Sequence, residues 1–478
     1  MEILVGLSQV LTVAILGLIA AFSYWLDGVR IAFHESDAYR EEAVLLMHED
    51  SALMREYSFQ SSSLYETGNF TGLLELMHDA QAQTEAGRFP LPLWREMDVF
   101  YDDDLNKEQI LSDWIAASPD EWVPYAARAE YLVGEGWRAR GAELAFKTPQ
   151  EQFKAMRKAL SRAEQDLRKT IALKPAFSGS YYNYLELARN GVGELSEREI
   201  IDQALLQSPG SYYLRYRYMG TLEPKWGGSF AQMRRFALES QAQRKDDPRV
   251  YQLLGYEYQL RAELAMRDGN YEACVQFHDK AFEYGDLDLW RRGRASCHEK
   301  LKNHDLAIAD LQVLGMQSGD DSAFARIARA HVAKKRYPEA LAAIEKAMAL
   351  SPYRIAHTNY AGWLHSKMKN DDLALAAYTL TQDILPNDPY AAQEIARIQL
   401  SRKQREAALP NLKIAIEYGS EDARKWYLYA DVLSHLGRPE HRDALRRYLE
   451  LVDRGVSRNT RRIRMVEAYL AGEGEFEQ

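Results

Sequence analysis

The feature that most constrains this chain is an internal period of 34 residues. Residues 322–352 align on 356–386 at that offset, so that Phe324, Ala328, Ala340, Ala347 and Pro352 fall on Thr358, Gly362, Ala374, Thr381 and Pro386. Small residues at the eighth and twentieth positions let two helices of a hairpin approach closely. The proline ends the second helix because it cannot continue the backbone hydrogen-bond ladder. Ala396, Ala408, Leu412 and Ala415 continue the spacing, and Trp426, Ala430, Leu433 and Gly437 open a further unit that shifts by two residues before Ala444 and Tyr448. Upstream, residues 290–311 form a unit with one extra residue. Tyr251, Leu254, Gly255, Tyr258, Ala273 and Phe277 read as another, lengthened by about six residues between Leu260 and Gly269. Each unit can bury its apolar stripe only against its neighbours, so five to six units over 248–456 predict a stacked helical array.

In period and wording these units resemble the tetratricopeptide family, and the expected fold is an all-α, tetratricopeptide-like α-solenoid. Pro175 and Pro209 are also 34 apart, followed by Ser180-Tyr181-Tyr182 and Ser211-Tyr212-Tyr213. The step from Pro209 to Pro248 is 39, with the surplus in Glu223-Pro224-Lys225-Trp226-Gly227-Gly228-Ser229, and the step from Pro119 to Pro175 is 56, which predicts longer helices over 123–145 and 150–173. Residues 110–247 therefore read as a divergent version of the same architecture. The words Trp137-Arg138-Ala139-Arg140-Gly141 and Pro224-Lys225-Trp226-Gly227-Gly228-Ser229 resemble the bacterial domain of unknown function 4034 family. That resemblance implies a helical-repeat domain and no established chemistry.

A different constraint sits at the start of the chain. The run that opens on Ile3 and closes on Leu26 holds no charged residue and ends in Tyr24, Trp25 and Leu26. As a helix it would be roughly 36 Å long, enough to cross a ~30 Å hydrocarbon core. A cleaved signal peptide is the competing reading, with a small-x-small site at Ala21-Phe22-Ser23, but no basic segment precedes the run. A retained single-pass anchor over 1–30 is expected. Arg30 and Arg40 follow the span and no basic residue precedes it, which places the body in the cytoplasm of a bacterium, with a periplasmic body as the alternative. This layout resembles the bacterial lipopolysaccharide assembly protein B family, whose C-terminal cysteine-rich metal module has no counterpart here.

Charge divides the chain further. Residues 31–121 carry 20 acidic and 5 basic side chains, whereas the residues beyond them are net +6. An acidic helical membrane-proximal region over 31–109 is expected, and a C-terminal helix with an acidic tail over 457–478. Arg447, Arg458, Arg461 and Arg462 belong to an arginine-rich end that reads either as a solvated helix face or as an anion patch. Tyr448 is the lone aromatic among those arginines, so base stacking, and with it nucleic-acid binding, is disfavoured.

Chemistry is sparse. Cys274, His278, Cys297 and His298 could draw a metal site, but Cys297 and His298 point about 100° apart on one helix, and core packing is the better account. No cofactor or catalytic motif occurs. The loop Lys225, Trp226, Gly227, Gly228, Ser229 could bind an anion at a helix start, with Lys225 assisting and Arg138 or Arg140 nearby. That is the basis for an enzyme or small-anion-binding alternative. Tyr181, Tyr182, Tyr212 and Tyr213 offer rigid, polar-tipped contact area suited to a peptide. The expectation is a membrane-anchored scaffold that binds protein or peptide partners in a bacterial envelope-associated complex, without catalysis. Deleting residues 1–27 is expected to release a soluble helical body; a truncated chain that still sediments with membranes would count against the anchor.

Overall fold

Helix stop signals organise the chain. Pro119, Pro175, Pro209, Pro352 and Pro386 each stand two residues beyond the last residue of a helix, where a missing N–H does least harm. The computed structural model describes residues 46, 57, 59–85, 100, 107–419, 422–452, 460–473 and 476. Among them there is no β-strand, and no helix is long and apolar enough to cross a membrane. The expected span over 3–26 lies outside the described residues.

The described residues fall into two compact units divided between Cys297 and His298. In the first, α1 (Phe70–Glu85) and α2 (Lys107–Ala117) precede a long hairpin, α3 (Trp122–Arg140) with α4 (Gln150–Leu173). There follow α5 (Ser178–Arg189) with α6 (Glu197–Gln207), α7 (Tyr212–Thr221) with α8 (Phe230–Ser240), and α9 (Leu253–Arg267) with α10 (Tyr271–Phe282), before α11 (Asp288–Lys300). The leading helices α3, α5, α7 and α9 also touch one another in series, the contact that turns separate hairpins into a solenoid. In the second unit every helix packs on its chain neighbour. These are α12 (His304–Ser318), α13 (Asp321–Ala333) with α14 (Tyr337–Leu350), α15 (Ile355–Lys367) with α16 (Asp371–Ile384), α17 (Pro389–Ser401) with α18 (Arg405–Glu417), α19 (Ala423–His435) with α20 (His441–Leu451), and α21 (Thr460–Ala471).

The backbone marks the repeat more sharply than the side chains do. Gly269, Lys302, Lys335, Lys369, Lys403 and Gly437 all have φ between 59° and 76°, at intervals of 33 or 34 residues. Each closes the leading helix of a hairpin, and the N–H of the next residue donates to the carbonyl five residues back at 2.8–2.9 Å. That pairing satisfies helix-end carbonyls left open by the turn. Seven residues before each marker stands a buried small residue: Ala262, Ala295, Ala328, Gly362, Ala396 and Ala430.

This register corrects two sequence expectations. Ala262, and not Gly255, takes the eighth position of its unit, so no insertion lies between Leu260 and Gly269. The surplus sits earlier, in the 3-10 turn Pro248–Gln252. Pro248 accordingly opens a turn, with Asp247 accepting from the Arg249 N–H, and does not end a helix. The expected two-residue shift before Ala444 is present, as a longer turn from Gly437 to His441 where the other hairpins need only two steps.

Close approach at the eighth position is testable. A Cβ on Gly362 would lie 2.6 Å from the fully buried Tyr378 ring. Gly362→Ala is expected to lower stability by about 1–3 kcal/mol in urea denaturation. Lys369→Gly, which relieves a left-handed lysine, is expected to leave stability equal or raise it by up to about 1 kcal/mol.

Candidate functional site

The first helices of three successive hairpins in the second unit line a groove of about 550 Å³, within the range of ligand-binding clefts. Ser322, Ala325 and Arg329 come from α13, Ala356, Asn359 and Trp363 from α15, and Tyr390 from α17, joined by Arg354, His357 and Tyr360. On α13 and α15 these residues fall at i, i+3 and i+7, one face of a helix. Register therefore places them together, and the small Ser322, Ala325 and Ala356 leave room between the larger side chains.

The floor is aromatic. Tyr360 and Trp363 lie with ring centroids 5.5 Å apart, Lys367 sits 5.2 Å from the Trp363 ring, and Tyr390 meets Tyr378 edge-on at 6.0 Å. Burial pushes the Tyr360 phenol above its ordinary pKa, with Arg329 pulling in the opposite direction. Arg329 is exposed and makes no hydrogen bond or ion pair among the described residues. Asn359 donates from Nδ2 to Asp388 Oδ1 at 3.3 Å, which leaves its side-chain carbonyl oxygen buried and without a hydrogen-bond partner among the described residues. A cation and an aromatic floor thus converge on one trough. It can take a carboxylate on Arg329 and an apolar side chain over the rings.

One wall is fixed by charge. Asp321 accepts from His357 Nε2 at 2.7 Å and pairs with Arg354 Nη1 at 2.8 Å. Burial by itself would raise the Asp321 pKa, but the hydrogen bonds from His357, Arg354 and Ser351 outweigh it and hold the carboxyl at about 2. The arrangement ties α13 to the start of α15.

The residues singled out from sequence lie elsewhere. Lys225 Nζ pairs with Glu223 at 2.7 Å, and Glu223 also accepts from Tyr256 at 2.9 Å. Gly227 has φ 92°, and a Cβ on Gly228 would lie 2.1 Å from the Leu222 carbonyl oxygen, so both glycines serve the turn. Ser229 caps α8, accepting from the Gln232 N–H. Trp226 is partly exposed and lies under the Arg189 guanidinium at 4.3 Å. Arg189 and Arg217 both pair with Glu186, and Arg217 covers Tyr182 at 4.2 Å, so Trp226 and Tyr182 end one connected strip. Arg140 covers Trp137 and Phe153, and Arg138 covers Tyr131.

Tyr181 and Tyr212 are buried. Tyr213, half-buried, meets Tyr212 at 5.2 Å and lies 5.2 Å from Arg249, itself bonded to Asp247 inside the unit. At the C-terminal end Arg447 pairs with Glu450 at 2.7 Å, Arg462 stacks on Tyr427 at 4.3 Å and Arg461 is exposed, while Arg458 lies outside the described residues.

Cys274 and Cys297, the only two cysteines of the chain, are joined by a disulfide across α10 and α11, with Cα atoms 6.2 Å apart. His278 lies beside them, and His298 takes no part.

The chain matches no family model and no curated protein, and the resemblance of the middle segment to the 4034 family is not shown. It is similar to several solved structures. MamA is 19% identical, over 34% of this chain and 90% of that one, at a TM-score of 0.31. YrrB, described as a TPR protein with an unusual peptide-binding site, is 15% identical over 38% and 91%, at 0.30. Pseudomonas aeruginosa PilF is 18% identical over 45% and 97%, at 0.36.

Because the folded Asp321 pKa of about 2 lies below the ordinary 3.8, its contribution is fully present above about pH 4 and lost as pH falls toward 2. The depression corresponds to about 2 kcal/mol. In denaturation at pH 5 and pH 2.5, Asp321→Asn is expected to remove about 2 kcal/mol at the higher pH and about a third of that at the lower.

Proposed function

We propose that this chain is a membrane-anchored helical-repeat scaffold whose groove over α13, α15 and α17 captures an extended acidic peptide of a partner protein. The reading rests on one juxtaposition, the uncommitted Arg329 cation beside the Tyr360–Trp363 floor. An acidic peptide gains a charge-assisted hydrogen bond and apolar burial there. The residue 3–26 segment supplies the anchor and confines the groove to a bacterial inner-membrane surface, which raises the effective concentration for partners at the same membrane. With Arg30 and Arg40 setting the orientation, the repeats work on the cytoplasmic side; a periplasmic body is the alternative. The role is assembly or regulation of an envelope-associated complex.

The divergent segment over 110–247 serves the same scaffold. Its strip from Tyr182 to Trp226 is a second contact surface, and the Arg447, Arg461 and Arg462 end a third. An enzyme or anion-binding reading through Lys225 and Ser229 is the weaker one, since Lys225 is held by Glu223 and Ser229 is used as a helix cap.

The test is fluorescence anisotropy with labelled eight-residue peptides rich in Asp, Glu and Phe, against the same peptides with lysine in place of each acid. Acidic peptides are expected to bind, lysine peptides not, and Arg329→Glu and Trp363→Ala each to weaken binding by about tenfold or more. Indifference to both substitutions would overturn the groove as the site.

A further inference from the structure

The residues that the repeat register places at the cysteine pair make more than a covalent staple. Cys274 occupies the twentieth position of its unit, where the following units carry Ala307, Ala340, Ala374 and Ala408. A methyl group suffices there, so a thiol is not required for packing. Cys297 comes from the neighbouring helix, and His278 stands one turn beyond Cys274 on α10. The three residues are 1%, 3% and 0% exposed for Cys274, His278 and Cys297, and one donor atom from each lies within 4.8 Å of the others. Gly293 makes the space for the imidazole, since a Cβ there would lie 2.4 Å from His278 Nε2. The surroundings are apolar and soft: Ala262, Ala265, Phe277 and the thioether-bearing Met266.

We infer that, with the cysteines reduced, Cys274, His278 and Cys297 form a buried three-donor site for a thiophilic closed-shell metal ion, best suited to copper(I). Two thiolates and one imidazole are soft-to-borderline donors that select copper(I) or zinc over hard cations. Zinc(II) prefers four ligands, whereas copper(I) is content with three. Reduction breaks the S–S bond as two electrons and two protons arrive from a dithiol reductant. Metal uptake then releases two protons from the thiols, and the sulfurs part to admit the ion. In a cytoplasm the glutathione and thioredoxin pools hold the pair in this reduced state.

The full chain, reduced and then freed of reductant without oxygen, is titrated with copper(I) in competition with bicinchoninate, and separately with zinc(II) against a chromogenic chelator. One equivalent of copper(I) is expected, outcompeting zinc(II), and lost in Cys274→Ser and in Cys297→Ser. Gly293→Ala keeps both thiols and a helix-favouring residue while displacing the imidazole. It is expected to weaken copper(I) binding by ~100-fold. Circular dichroism identifies variants that fail to fold, and Gly293→Ala together with His278→Asn then decides. Stoichiometric uptake of neither ion, uptake unaffected by the cysteine substitutions, or affinity unmoved by both third-ligand variants would overturn the site and leave a plain disulfide. Preference for zinc(II) would overturn the assignment to copper(I).

Discussion

Everything in this molecule depends on how closely the two helices of each hairpin can approach. The approach is set by the small residue at one position per repeat, Ala262, Ala328, Gly362, Ala396 and Ala430, each shielded from water. An alanine or glycine there brings backbones into contact and lets large neighbours such as Tyr378 fill the space on either side. The left-handed residue seven positions later turns the chain so that the second helix returns along the first. Packing and turn act as one unit, and the leading helices are then held at a fixed spacing. The groove is a consequence of that spacing, because residues at equivalent positions of successive repeats face the same trough.

Much of this could be read in the sequence, and the failures have definite causes. The 34-residue period, the all-helical class, the long α3–α4 hairpin and the helix ends at Pro119, Pro175, Pro209, Pro352 and Pro386 were legible because small residues and prolines act locally. Pro248 was misread because proline is tolerated at the first position of a helical turn as well as beyond the end of a helix. Gly255 was misread as a repeat position because glycine fits any close contact, here against Trp290. The turn position could have settled that register, but four of its six markers are lysines, which carry no left-handed signature in composition.

The candidate site was less legible than the fold. Lys225, Trp226 and the paired glycines stood out by composition, yet their unusual features answer local needs: a pairing with Glu223 and a turn pressed against Leu222. Arg329, Asn359 and Trp363 carry no motif. Only the repeat register, read at i, i+3 and i+7 across neighbouring hairpins, brings them together. Cys274 and Cys297 illustrate the same point in the other unit. The sequence reading already set His278 beside Cys274 at i, i+4, and the structure brings both to Cys297 while leaving His298 out of the cluster.

The identical hydrogen-bonded closures at Lys335, Lys369 and Lys403 bear on how such a chain can change length over generations. Joining the first of these residues to the segment after the second removes one whole hairpin and leaves the single new junction with the turn geometry that both had before. Duplication works by the same rule in reverse. Unequal crossing-over at these lysine codons therefore adds or subtracts complete modules, and the whole stretch from Arg329 to Trp363 can be copied or lost in a single genetic event.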